Sequence, residues 1–341
     1  MKYEFFTGSW STEETAGITR FVFDTENGSI EKVSYNSFSS PYYMAVNASK
    51  TKLYVAQLDW AEGAPGYLNV FNIKDDGVEL LQTVSSRANG PVAVKFALNE
   101  RMLLTVHYSG ESFQAFPIDD NGLLGECCGE VVLSGHSVNP DRQSKPHPHW
   151  IEARGEYIFV PDLGLDKLLL YQLDLQTGQF YDTGKHLPCP AGFGARQLAF
   201  LDNTNNTIYM GCELGNHIVV YQKVNGEYVT RQIISTVPKG YDGPSTTAGI
   251  TAFGGYVYII NRDLNNIAMF KIKEDGLLEF SSLNESGGMV PRELNVFGDY
   301  LMVANTDSNK ITALKINAEE GRLEPTGWEA DVTAPTCIVS L

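Results

Sequence analysis

Apolar residues along this chain fall into short alternating runs, and the runs themselves recur. A typical copy is IFVPDLGLDKLLLYQL at 158–173: a run rich in Val, Ile, Leu and Tyr, a polar turn, then a second run that alternates. In most copies a turn containing glycine follows, such as DDG, DNG, QTG or EDG. Alternation with a period of two marks a strand with one buried face, and two such runs around a polar turn make a hairpin. The pattern therefore predicts a strand, a hairpin, another strand and, past the glycine, a further strand.

Six segments line up on this template: LYVAQ with GYLNVFNI (53–57 and 66–73), LLTVHYSGESFQAFPI (103–118), 158–173, IYMGCELGNHIVVYQK (208–223), VYIINRDLNNIAMFKI (257–272) and LMVANTDSNKITALKI (301–316). FFTG with GITRFVFD (5–8 and 17–24) is a seventh, and successive starts lie 48, 50, 55, 50, 49 and 44 residues apart. Before each hairpin stands one more strand candidate, often led in by Pro or Gly: SPYYMAV, GPVAVKF, PHPHWIEA, GARQLAF, TTAGITAF, VPRELNV and APTCIVS. Four strands repeated every 40 to 50 residues define the blade of a β-propeller. The chain begins on a copy without its first strand and ends on a first strand without its copy. Joining 334–341 to 3–34 closes the ring, which removes the open edge. The expected fold is all-β: a seven-bladed β-propeller of four-stranded antiparallel blades, forming a single domain over 1–341.

At 341 residues the chain could hold two ordinary domains or one large β-rich one, and the repeat decides for one. Hydrophobic residues at 43% and charged residues at 19% suit a folded chain with a sizeable core. With 25 Lys and Arg against 41 Asp and Glu, the formal charge of −16 has the wrong sign for a nucleic-acid partner. The opening MKYEFFTGSWSTEE lacks the apolar core of a signal peptide, and no apolar run reaches the roughly 20 residues that span a bilayer. No membrane partner is expected, and a cytoplasmic location is the default; nothing in the pattern sets an oligomeric state. The five cysteines, Cys127, Cys128, Cys189, Cys212 and Cys337, show no CxxC spacing and are expected to be reduced and mostly structural. Cys212, beside Glu213, is the one thiol placed where a nucleophile could stand.

Antiparallel neighbours put the start of a blade's first strand and the end of its second on the same face of the ring. Starts of first strands carry His147 and His149, Arg196 and Arg292; ends of second strands carry Gln57, His107, Asp162, Glu213, Arg262 and Asn305. Alignment of PHPHWIEA, FGARQLAF and MVPRELNV makes His149, Arg196 and Arg292 equivalent. Each alone is an ordinary polar turn residue. Together they form a cationic cluster on an acidic chain, suited to an anionic small molecule because a guanidinium fork matches a carboxylate or phosphate. There is no P-loop, GxGxxG or HExxH, and GHSVN at 135–139 falls short of GxSxG. His147 and His149 could hold a metal with His136, Glu152 or Asp162, but the neighbouring arginines disfavour a dication. No metal and no cofactor is expected.

SVNPDRQSKPHPHW before VPDLGLDKLLLYQLD, GARQLAF before IYMGCELGNHIVVYQ, and YIINRDLNNIAMFKI resemble the lactonase seven-bladed propeller family, over nearly the whole chain. That family includes a bacterial 6-phosphogluconolactonase and a fungal 3-carboxy-cis,cis-muconate lactonizing enzyme. The resemblance implies a cleft at one end of the channel holding a histidine, two arginines and a glutamate. On this sequence these are His149, with His147 as competitor, Arg196, Glu213 and Arg262. Ala195 stands where the motif has proline, and Trp150 where smaller residues are typical; both bear on pocket shape.

The expected activity is metal-independent hydrolysis of an anionic lactone, 6-phosphogluconolactone to 6-phosphogluconate. Glu213 would activate water, Arg196 and Arg262 would stabilise the oxyanion, and His149 would relay a proton to the ring oxygen. Arg142, Lys145 or Arg292 would meet the phosphate, with His147 and Asp162 also lining the substrate site. A cycloisomerase acting on a muconate-type dicarboxylate fits the same residues. A scaffold without catalysis is the third reading, because fold alone does not set function. Its apolar patch would need Trp60 and Tyr67, whose segment QLDWAEGAPGY reads more simply as a wall beside the mouth.

Overall fold

The computed structural model describes residues 1–59, 64–201 and 204–341, and Trp60 lies outside them. Among the described residues, 28 strands form seven four-stranded sheets with antiparallel neighbours throughout, and there is no helix. Blades 1 to 7 have as inner strands Pro335–Ser340, Pro41–Val46, Pro91–Ala97, Glu152–Arg154, Ala195–Phe200, Thr247–Phe253 and Pro291–Phe297. Their second strands are Lys2–Ser9, Lys52–Gln57, Met102–His107, Tyr157–Asp162, Thr207–Cys212, Tyr256–Asn261 and Tyr300–Asn305. Inner strands of neighbouring blades touch around the axis, except that Ala195–Phe200 of blade 5 meets the second strand of blade 4, Tyr157–Asp162. The ring closes as the repeat predicts: Pro335–Ser340 lies against Lys2–Ser9, with Thr7 opposite Ile338.

The apolar faces of successive blades pack on one another, and this is where the core sits. Phe5 and Phe21 of blade 1 have ring centroids 5.4 Å apart, and Phe5 lies 5.3 Å from Phe297 of blade 7. Fully burying one such side chain stabilises by roughly 1.5–3 kcal/mol. Side-chain amides tie blade to blade as well. Asn36 brackets the backbone of Val78 through two bonds of 3.1 Å. Gln82 does the same to Leu124, and Gln232 to Leu278, all at 2.8 Å.

One irregularity recurs and positions the site. In every blade the inner strand carries one extra residue near its start. The register shifts fall between Pro41 and Tyr43, Pro91 and Ala93, Ala195 and Gln197, Thr247 and Ile250, and Pro291 and Glu293. Blade 1 shifts opposite Thr7 to Ser9, and blade 4 between the Pro148–Asp162 bridge and the Glu152–Phe159 pair. A bulge of this kind re-aims one side chain out of the ladder. The displaced positions are Tyr42, Val92, His149, Arg196, Arg292 and Thr336, with Ala248 completing the set; all but Ala248 line one narrow gap at the axis.

Candidate active site at one mouth of the channel

A second ring of side chains faces the first. The residue just past each second strand donates its backbone N–H to the carbonyl just before the bulge: Glu213 to Gly194, Arg262 to Thr246, Tyr108 to Gly90 and Trp10 to Ala334, at 2.8 Å each. These bonds hold Glu213 beside Arg196 and place Arg262 and Tyr108 on the same rim. The last residue of each second strand behaves differently, because successive side chains of a strand point to opposite faces. Gln57, His107, Asp162 and Asn305 occupy that position, opposite Pro41, Pro91, Pro148 and Pro291.

Their surroundings are structural. Asn305 bonds Thr312 at 3.0 Å, and Gln57 bonds the Ser39 carbonyl at 3.0 Å. His107 is fully buried and burial pushes its imidazole down to about 3, so it stays neutral. Asp162 is also fully buried, and one carboxylate oxygen accepts the N–H groups of His147 (3.0 Å) and Leu165 (2.9 Å). Burial raises its carboxyl to about 7. Asp162 thus shapes the loop under the histidines and does not face the mouth, contrary to the sequence expectation.

At the mouth, Glu213 is 4% exposed and takes three arginines. Its Oε1 lies 2.6 Å from Arg142 Nη2 and 2.9 Å from Arg262 Nη2, and its Oε2 lies 2.9 Å from Arg196 Nε. Burial alone would favour the neutral acid, but Arg262 and Arg196, with Arg142, hold the carboxyl well below its usual range. His149 is buried too, and desolvation together with Arg196 keeps its imidazole neutral. Its Nδ1 has no hydrogen-bond partner among the described residues.

Arg142 reaches Glu213 from the longest connection in the repeat. That loop is tied by its own polar groups: Asn139 Oδ1 accepts the N–H groups of Asp141 and Arg142, and the fully buried Gln143 donates to the Leu163 carbonyl at 2.8 Å. Asp166 fastens it to blade 5 by accepting from Ser137 Oγ (2.6 Å), Gly192 N–H (2.7 Å) and Gly194 N–H (2.6 Å). The stretch SVNPDRQSKPHPHW is therefore a built wall of the site.

The two histidines separate here. His147 stacks on Tyr108, centroids 4.3 Å apart, with Nδ1 2.7 Å from the Tyr108 carbonyl. His149 meets the edge of the same ring at 5.6 Å and stands in the inner circle with Arg196 and Arg292. Lys145 is committed to Glu111 at 2.9 Å and to the Ser109 carbonyl at 3.2 Å. Arg292 Nη1 donates to the Tyr42 hydroxyl at 3.2 Å, and its guanidinium lies 4.1 Å over the Trp10 ring. Sequence reasoning passed over Trp10, Tyr42 and Tyr108, although they occupy the same two repeat positions as Glu213 and Arg196.

Metal ligands are not assembled: among the described residues no three His, Cys, Asp or Glu side chains converge. Glu152 pairs with Arg154, and His136 bonds only the carbonyl of Ser137. Cys212 is fully buried with its Sγ 3.6 Å from that of Cys189, away from the nucleophile position considered above. All five cysteines are free, and Tyr67 is built into the third strand of blade 2.

A seven-bladed ring with arginines gathered around a buried carboxylate at one mouth places the chain among the β-propellers. The family model described as "Lactonase, 7-bladed beta-propeller" matches residues 4–340. The chain belongs to that family, and with it to the lactone (carboxylic ester) hydrolases. It is 28% identical to the 6-phosphogluconolactonase of Bacillus subtilis over 302 residues, covering 86% of this chain and 84% of that one. The solved structure of a putative 6-phosphogluconolactonase from Bacteroides uniformis superposes with a TM-score of 0.91 at 26% identity, covering 100% and 99% of the two chains. A periplasmic gluconolactonase from Pseudomonas aeruginosa shares the fold, with a TM-score of 0.91 at 23% identity over 100% and 99% of the chains. No helix among the described residues is long and apolar enough to cross a membrane.

Proposed function

We propose that this protein opens 6-phosphogluconolactone to 6-phosphogluconate by adding water to the lactone carbonyl. The observation that carries the reading is the ionised Glu213 held by Arg142, Arg196 and Arg262 beside a neutral His149. The relatives' names point to the same substrate class. Free thiols throughout suit a reducing compartment, which favours the cytoplasm.

The geometry redistributes the roles expected from the sequence. A carboxylate offers about four lone-pair directions, and three of those on Glu213 are filled by arginine. Its remaining direction can orient a water, but the same arginines resist its taking a proton. His149 is the better carrier, because its imidazole is neutral. Water attacks the carbonyl carbon while His149 takes its proton. Arg196 and Arg262 stabilise the oxyanion; collapse then breaks the bond from carbonyl carbon to ring oxygen, and His149 returns the proton to that oxygen. An anionic substrate facing the arginines raises the proton affinity of both His149 and Glu213 as it binds.

Because the base must be unprotonated, kcat/KM should fall only on the acid side of the usual imidazole range and stay level through neutrality. The test is pH-stat hydrolysis of freshly made 6-phosphogluconolactone, with glucono-1,5-lactone and a muconate substrate run in parallel and spontaneous opening subtracted. Arg196→Ala should lose about 100-fold in kcat, and His149→Asn should lose the acid limb. Near-wild-type rates in both variants would refute the assignment.

A further inference from the structure

Among the described residues the arginines of the mouth divide into two kinds. Arg142, Arg196 and Arg262 share the charge of Glu213. Arg292 is only 9% exposed and pairs with no carboxylate among the described residues. Its described contacts are neutral: the Tyr42 hydroxyl at 3.2 Å and the face of Trp10 at 4.1 Å. Its Nε is buried and has no hydrogen-bond partner among the described residues.

We propose that Arg292, with Tyr42 and Trp10, is the subsite that anchors the substrate's anionic group, apart from the carbonyl handled by Glu213, His149 and Arg196. A guanidinium lying over an indole keeps its in-plane N–H groups for an oxyanion, and the ring excludes water from one side. The Tyr42 oxygen accepts from Arg292, so its own O–H is left to donate to the same anion. The other cations considered for this task are already spent, Arg142 on Glu213 and Lys145 on Glu111.

The chemistry of the substrate narrows the ligand. Forming a lactone consumes the acid's own carboxylate, so a simple sugar lactone arrives without a negative charge. An anion that reaches Arg292 must come from another part of the molecule, and a phosphate ester at the far end of the sugar supplies one. The subsite therefore selects phosphorylated over unphosphorylated lactones. This inference rests on the lactonase reading above, but it can fail separately.

The experiment measures kcat/KM for 6-phosphogluconolactone and for glucono-1,5-lactone in wild type, Arg292→Met, Arg292→Lys and Tyr42→Phe, together with calorimetric binding of inorganic phosphate. The ratio of the two kcat/KM values should fall about 10- to 100-fold in Arg292→Met, mostly through KM. It should fall less in Arg292→Lys, which keeps the charge and checks the fold. Phosphate should bind wild type and not Arg292→Met. An unchanged ratio in Arg292→Met overturns the subsite and leaves lactone hydrolysis standing. If wild type hydrolyses neither lactone yet loses phosphate binding on Arg292→Met, the subsite stands and the proposed reaction falls.

Discussion

The two ends of the channel are both lined with charged residues, yet they differ in balance. At the far end a cavity of about 270 Å³ is lined by Lys95, Arg154, Glu152 and Glu293 among others. Two cations meet two carboxylates there. Glu152 lies 3.9 Å from Lys95 and 3.6 Å from Arg154, and Lys95 also sits 4.2 Å over Trp150. At the site mouth Arg142, Arg196 and Arg262 share Glu213, and Arg292 pairs with no carboxylate among the described residues. Between the ends, the gap enclosed by Tyr42, Val92, His149, Arg196 and Arg292 is about 10 Å³, room for about one water. Polarity is thus common to both ends, whereas uncompensated charge belongs to one. The excess of guanidinium over carboxylate is what supports the anionic substrate proposed for that mouth.

Neither end exists without ring closure, so the largest effect should come from removing residues 334–341. Without the inner strand of blade 1, the Phe5 and Phe6 faces lose their cover, and no soluble folded protein should be recovered. A truncated protein with an unchanged thermal midpoint would disprove the closure. Next in size is Glu213→Ala, which leaves three neighbouring arginines with no counter-charge. Breaking a buried ion pair from one side costs about 3–5 kcal/mol, read here as a lowered denaturation midpoint. The corresponding change at the balanced end, Lys95→Met, removes a half-buried contact and should cost about 1 kcal/mol or less. If the two substitutions cost the same, the difference in balance has no energetic meaning.

Much of this was legible in the sequence because the repeat carries it. Alternating runs and glycine turns give the blades, and a common repeat position gives His149, Arg196 and Arg292. The sequence pattern groups Glu213 and Arg262 with Gln57, His107, Asp162 and Asn305, although the two groups are one residue apart in register. In a strand that single step reverses the side chain's face. Pairings across the ring were not legible: nothing local tells that Arg142 spends its charge on Glu213, 71 residues away, or Lys145 on Glu111. Trp10, Tyr42 and Tyr108 are not legible as site residues, because aromatic residues at strand ends usually belong to the core. Only the bulge turns Tyr42 to the axis.

The smallest predicted effect concerns the link between the ends. Arg196 Nη1 donates to Gln197 Oε1 at 3.0 Å, and Gln197 Nε2 donates to Glu293 Oε2 at 3.3 Å. The other Glu293 oxygen accepts the Leu294 N–H at 3.0 Å. Burial pushes the Glu293 carboxyl above its usual range, only partly offset by the Leu294 N–H and Arg196. A raised acid holds its proton more tightly in the folded state, so its contribution to stability diminishes as pH rises from the ordinary carboxylate range through the raised value. Glu293→Gln has no proton to lose and should flatten that slope in thermal melts between pH 4 and 8. It also sets two amide donors against each other, because both Glu293 oxygens now accept. The longer bond, to Gln197, should give way and loosen Arg196, lowering kcat/KM by about two- to tenfold. An unchanged kcat/KM would mean that Glu213 alone positions Arg196 and that the two ends act independently.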